Sequence, residues 1–146
     1  MMPDSGLTAV AHVIQLSVAP VFLLSGIGAM LAVMTTRLAR IVDSARSLEA
    51  QLTTCGADSQ PALHARLAVL SHRARVISGG IALCTVTALL VCALIAMLFL
   101  GTFFEFDAAV PVALLFIAAM LAFFVGLLLF LREIYVATAN LRIGPR

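Results

Sequence analysis

Lysine and tryptophan are absent from this 146-residue chain, tyrosine occurs once, and charged residues make up only 11% of it. Each shortage excludes something. An ordinary soluble domain is about 25% charged, so water cannot be the only solvent of this one. Without lysine, arginine carries all nine basic charges. The three cysteines, Cys55, Cys84 and Cys92, form no C-x-x-C pair and no metal-ligand spacing, so neither a redox nor a metal role is expected of them. They read instead as small packing residues. No H-E-x-x-H, no glycine-rich phosphate loop and no nucleophile–base spacing is present, so no catalytic residue, cofactor or enzyme activity is expected.

What the chain has in quantity is apolar sequence. Hydrophobic residues make up 63%, and the mean hydropathy is +1.16. Three runs, 20–36, 76–100 and 111–131, match the roughly 17–25 apolar residues that cross a bilayer as a helix. The expected class is an all-α integral membrane protein with three transmembrane helices in a single membrane domain. Before the first run, Thr8, His12, Gln15 and Ala19 share one helical face. Residues 7–36 therefore read as an interfacial segment plus the first span, kinked near Pro20, or as one longer span. The start M-M-P-D-S-G-L lacks a basic region and predicts no cleaved leader.

Charge sets the expected orientation. Residues 37–75 hold six arginines, the loop 101–110 holds Glu105 and Asp107 with no base, and the tail 132–146 holds the other three arginines. By the positive-inside rule, 37–75 and the tail lie in the cytoplasm, and the N-terminus and the 101–110 loop lie outside.

Within 37–75 the apolar residues are periodic. Leu38, Ile41, Val42, Ala45, Leu48 and Leu52 form one stripe, and Leu63, Leu67, Leu70, Ala74 and Ile77 form another in a heptad-like spacing. Cys55-Gly56 and Asp58-Ser59 break the helix between them. A cytoplasmic antiparallel helical hairpin between the first and second spans follows, with Asp43 expected near Arg73 and Glu49 near Arg66. Arg37, Arg40, Arg46, Arg73, Arg75 and Arg132 are the candidates for contact with lipid headgroups or with a protein partner. Nucleic acid is not an expected partner, because acids dilute the patch and no aromatic residue interleaves it.

Small residues mark candidate helix-packing seams: Gly26 and Gly28 in the first span, Gly80, Cys84, Ala88, Cys92 and Ala96 in the second, Ala122 and Gly126 in the third. Such seams serve contacts within one chain or between copies in a homo-oligomer. His12, Gln15 and Thr36 are candidates for the polar face of a pore built from several copies, with Arg37 and Arg40 at its inner mouth. The leading expectation is a non-enzymatic accessory or scaffold protein that self-associates and presents its basic hairpin; the pore is the alternative.

Ile14-Gln15-Leu16, Ala19-Pro20-Val21, Gly26-Ile27-Gly28 and the pattern Arg37-x-x-Arg40-Ile41-Val42-Asp43-x-x-Arg46 resemble an uncharacterised bacterial family of small three-span membrane proteins, classed under a domain of unknown function. The resemblance runs over most of the chain, the second half matching mainly in hydropathy. It implies the same architecture and a bacterial inner membrane location, and it implies no substrate, cofactor or activity.

Overall fold

The computed structural model describes residues 4–54, 56, 59–104 and 109–139, and side chains at 8 and from 10 to 137 within those ranges. Among the described residues the regular elements are three long helices: α1 (Asp4–Leu52), α2 (Gln60–Phe104) and α3 (Ala109–Ala139). Of the residues singled out in loops and tail, Cys55, Asp58, Glu105, Asp107, Arg142 and Arg146 lie outside the described residues.

All three helices are long and apolar enough to span a membrane. At about 1.5 Å per residue a hydrocarbon core of roughly 30 Å takes some 20 residues. The 49 residues of α1 and the 45 of α2 therefore exceed one crossing by more than half their length. Helix α1 continues through Pro20 as one element, at the cost of one backbone hydrogen bond. It closes where the last carbonyls find partners outside the regular ladder. The Thr54 amide donates to the Gln51 carbonyl (3.1 Å), and the Thr53 hydroxyl donates to the Ala50 carbonyl (2.7 Å). Helix α2 opens on Gln60-Pro61, where a missing N–H costs nothing.

The helices divide lengthwise between two compact units. One comprises Met1–Met30 and Leu83–Phe124, the other Leu31–Ala82 and Val125–Arg146. In the first unit the buried side chains are Val13, Ser17, Ile27, Cys84, Thr87, Val91, Leu94 and Ala119. In the second they are Met34, Ile41, Ile77 and Glu133, with Gly80 and Gly126 also buried.

A seven-residue repeat underlies this burial. In α1 every residue at 13, 20, 27, 34, 41 and 48, and at 17, 24, 31, 38, 45 and 52, is buried or half-buried. The same holds in α2 at 63, 70, 77, 84, 91 and 98 and at 73, 80, 87, 94 and 101, and in α3 at 112, 119, 126 and 133. A 3.5-residue period keeps one stripe facing its neighbours along a long helix. The two short amphipathic stripes expected between 38 and 77 are thus parts of longer seams; Val42 alone among them is exposed, at 36%.

The seam of α2 departs from the expected four-residue row. Gly80 and Cys84 are buried and Ala88 is half-buried, but Cys92 and Ala96 are exposed. A step of four residues turns about 40° beyond a full rotation. Repeated four times, it carries the row to the opposite side of the helix. In the second unit α2 and α3 run antiparallel. A Cβ built on Gly80 would lie 3.7 Å from the Gly126 carbonyl oxygen, and seven residues back along α2, Arg73 meets Glu133, seven residues on along α3.

Outside the seams the helices are greasy. Phe22, Leu89, Phe103, Leu114, Leu121 and Tyr135 are each more than 60% exposed. A surface of that kind on helices of this length is matched to lipid.

Candidate functional site

Apolar sequence gives way to polar and charged residues on all three helices within the second unit: after Met34 in α1, before Val76 in α2 and after Leu131 in α3. There an open cleft of about 610 Å³ is lined by Ala32, Val33, Thr36, Arg37, Arg40 and Ile41 of α1, Arg73 and Ile77 of α2, and Glu133 of α3. Three arginines and one glutamate thus line a single cleft.

The carboxylate is the most enclosed charge. Glu133 is 3% exposed, and the Arg73 Nε–H donates to its Oε1 at 2.7 Å. Removing a carboxylate from water is costly unless an opposite charge and hydrogen bonds accompany it, so Arg73 is the condition for Glu133 being buried. The bond uses one of the five N–H donors of the guanidinium. Arg37 is held differently. Its Cζ lies 5.5 Å from the centroid of the Phe130 ring, a cation–π arrangement that orients the guanidinium without using an N–H. Arg40 is exposed. The Thr36 hydroxyl donates back to the Ala32 carbonyl at 2.8 Å.

The sequence candidates are distributed unevenly around this cleft. It brings together Arg37, Arg40, Arg73 and Thr36. Arg46 lies elsewhere, in a second cleft of about 480 Å³ lined by residues 41–49 of α1 and 67–74 of α2. Arg75 and Arg132 are exposed. His12 and Gln15 are exposed and belong to the other unit. Arg73 pairs with Glu133, not with Asp43, and among the described residues no ion pair joins Glu49 to Arg66. The expected pairings assumed two helices alone, and α3 supplies the nearer acid.

Of the seam candidates, Gly80 and Gly126 meet as described, and Ala122 is half-buried. Gly26 and Gly28 are exposed, and a Cβ on either would meet nothing within 4 Å. Among the described residues they pack against no other helix.

Glu133 and Phe130 were not singled out from the sequence. A signal for Glu133 existed: it stands seven residues after Gly126 and fourteen after Ala119. That places a carboxylate on the buried stripe of an otherwise apolar helix.

Residues 17–143 match the model of a family described as a protein of unknown function, DUF2721. No curated protein and no solved structure matches the chain.

Proposed function

Since the chain belongs to the DUF2721 family, whose function is unknown, its own geometry has to suggest one, and we propose a non-enzymatic membrane scaffold. In this reading three spans anchor the protein in a bacterial inner membrane with the N-terminus outside and the C-terminus in the cytoplasm. Residues 37–52 and 61–76 form a cytoplasmic antiparallel hairpin that meets lipid headgroups or a protein partner, and copies of the chain associate in the membrane.

The observation that carries the reading is the placement of charge. Arg40, Asp43, Arg46, Glu49, Arg66 and Arg75 are exposed, while Leu38, Ile41, Leu48, Leu67, Leu70 and Ile77 are covered. A long helix pair with its apolar stripes half-buried or buried and four of its arginines exposed supports a surface for contact better than a chamber for chemistry.

Reporter fusions at Gly56 and Asp107 test the topology: a cytoplasmic signal at Gly56 and an external one at Asp107 are expected, and either reversal overturns it. Crosslinking through Cys55 in intact cells tests the scaffold, with dimers or a captured partner as the expected product. A chain that stays monomeric and uncaptured removes it.

The second reading is a pore formed by several copies. Its support is the exposed row His12, Gln15, Ala19, Gly26, Ala29 and Thr36 beside the α1 seam. Phe22, on the same row, is 74% exposed and would put a phenyl ring into the lumen, which favours the scaffold. Ion flux through liposomes containing the purified protein is the discriminating measurement; silent membranes exclude the pore.

A further inference from the structure

We infer that the cleft framed by Arg37, Arg40 and Arg73 binds a phosphate-bearing anion; the lipid form of this inference rests on the reading of this level as the membrane boundary. Charge is the first argument. Three arginines and one glutamate line the same cleft, and the carboxylate is already engaged by Arg73. The cleft therefore carries an uncompensated positive charge.

Donor geometry is the second. The bond from Nε to Glu133 anchors Arg73, while among the described residues its two terminal amino groups have no protein partner. Arg37 is oriented by the face of Phe130, and among the described residues its N–H donors have no partner. The Arg40 carbonyl accepts from the Ser44 hydroxyl at 2.8 Å, while among the described residues its guanidinium likewise has no protein partner. Planar guanidinium groups with free N–H edges, two of them held in place, match the paired oxygens of phosphate, and arginine is the residue that reads them two at a time. Glu133 opposes an anion by its charge, yet it is also what holds Arg73 in place.

Size and wall composition are the third. About 610 Å³ lies within the roughly 300–1,000 Å³ of small-molecule sites, ample for a phosphodiester with its flanking glycerol. Ala32, Val33 and Ile77 form an apolar side to the same cleft. A phosphate attached to an apolar body would satisfy both surfaces, so the source is a lipid headgroup or a free phosphate that uses the basic side alone.

The test uses the full chain, delipidated in neutral detergent. Native mass spectrometry counts retained phosphatidylglycerol against phosphatidylcholine, and calorimetry follows inorganic phosphate. Arg40→Gln and Arg37→Gln remove donors from the cleft; Arg46→Gln removes the same charge outside it. We expect phosphatidylglycerol to be retained over phosphatidylcholine. Each cleft variant should weaken that retention by about tenfold or more, the scale of a charge-assisted hydrogen bond, and Arg46→Gln by less than about twofold.

Inorganic phosphate binding with the same variant dependence supports the site and identifies a free anion as its ligand. Equal losses in Arg40→Gln and Arg46→Gln would mean diffuse attraction and overturn the site, as would the absence of binding by both phosphate and phosphatidylglycerol. The fusion at Gly56 is read alongside: an external signal there sinks the membrane orientation while leaving the phosphate titration intact.

Discussion

The two units of the molecule bury polar groups by different means. In the unit of Met1–Met30 and Leu83–Phe124, the buried polar side chains are Ser17 and Thr87. Each donates to a carbonyl four residues back in its own helix, Ser17 to Val13 at 2.8 Å and Thr87 to Leu83 at 2.9 Å. In the unit of Leu31–Ala82 and Val125–Arg146, the buried polar side chain among the described residues is Glu133, and its partner Arg73 comes from another helix, 60 residues away in sequence. A hydroxyl has one hydrogen and no charge, so its own helix can satisfy it. A carboxylate needs an opposite charge, which no neighbouring turn of α3 provides. Among the described residues, the buried polar groups of one unit are therefore locally satisfied, and that of the other depends on helices meeting in one register.

Substitutions that separate these two modes should differ in size. The largest effect is expected from Arg73→Ala, which leaves Glu133 buried without its cation and should cost about 3–5 kcal/mol in denaturant unfolding of the detergent-solubilised protein. Glu133→Gln keeps an oxygen that accepts from Nε and should cost far less. Replacing both residues together, Arg73→Met with Glu133→Leu, should recover most of the loss. If the double variant is as unstable as Arg73→Ala, the unit is not held hostage by an unpaired charge and the contrast between units fails.

Next in size is the approach of Gly80 to Gly126. Built on Gly80, a Cβ lies 3.5 Å from Met34 Cε and 3.7 Å from the Gly126 carbonyl oxygen, ordinary contact distances. Gly80→Ala should therefore fold normally and gain up to about 1 kcal/mol from helix propensity. Gly80→Leu has to place three more carbons against that backbone and should lose about 1–3 kcal/mol. Thermal unfolding followed by far-ultraviolet circular dichroism would rank the three proteins, and an unstable Gly80→Ala would mean a closer approach than the structure has.

Smaller still is Thr87→Val, in the locally satisfied unit. The valine matches the threonine in shape, and the Leu83 carbonyl keeps its place in the helix ladder, so the loss should stay within about 1 kcal/mol. A loss on the scale of Arg73→Ala would mean that Thr87 works across helices, and the two units would no longer differ in kind. The smallest change is expected from Gly26→Ala, which meets open space and should leave the unfolding of detergent-dispersed monomer within about 0.5 kcal/mol of its parent. If it nevertheless lowers Cys55 crosslinking between copies in membranes, the role of Gly26 is intermolecular.

Much of the architecture was legible before any coordinates. Apolar runs and their punctuation pointed to three helices that can cross a membrane, and the spacings from Leu38 to Ile77 already marked which side of each stretch would be covered. These features are local: hydropathy and period are properties of one helix at a time. The four-residue row from Gly80 to Ala96 misled because it selected residues by type and spacing without following their rotation around the helix. Glu133 escaped notice because a lone acid near a helix end is ordinarily solvated, and only its register with Ala119 and Gly126 sets it apart.

The sequence by itself determined the helical class, the length of the apolar segments and the concentration of arginine at 37–75 and 132–146. Tertiary structure alone decided that α3 brings Gly126 to Gly80, Phe130 to Arg37 and Glu133 to Arg73. The reason is that one choice of register sets all three contacts at once. That choice is a match between surfaces of different helices, and no periodicity within a single helix contains it.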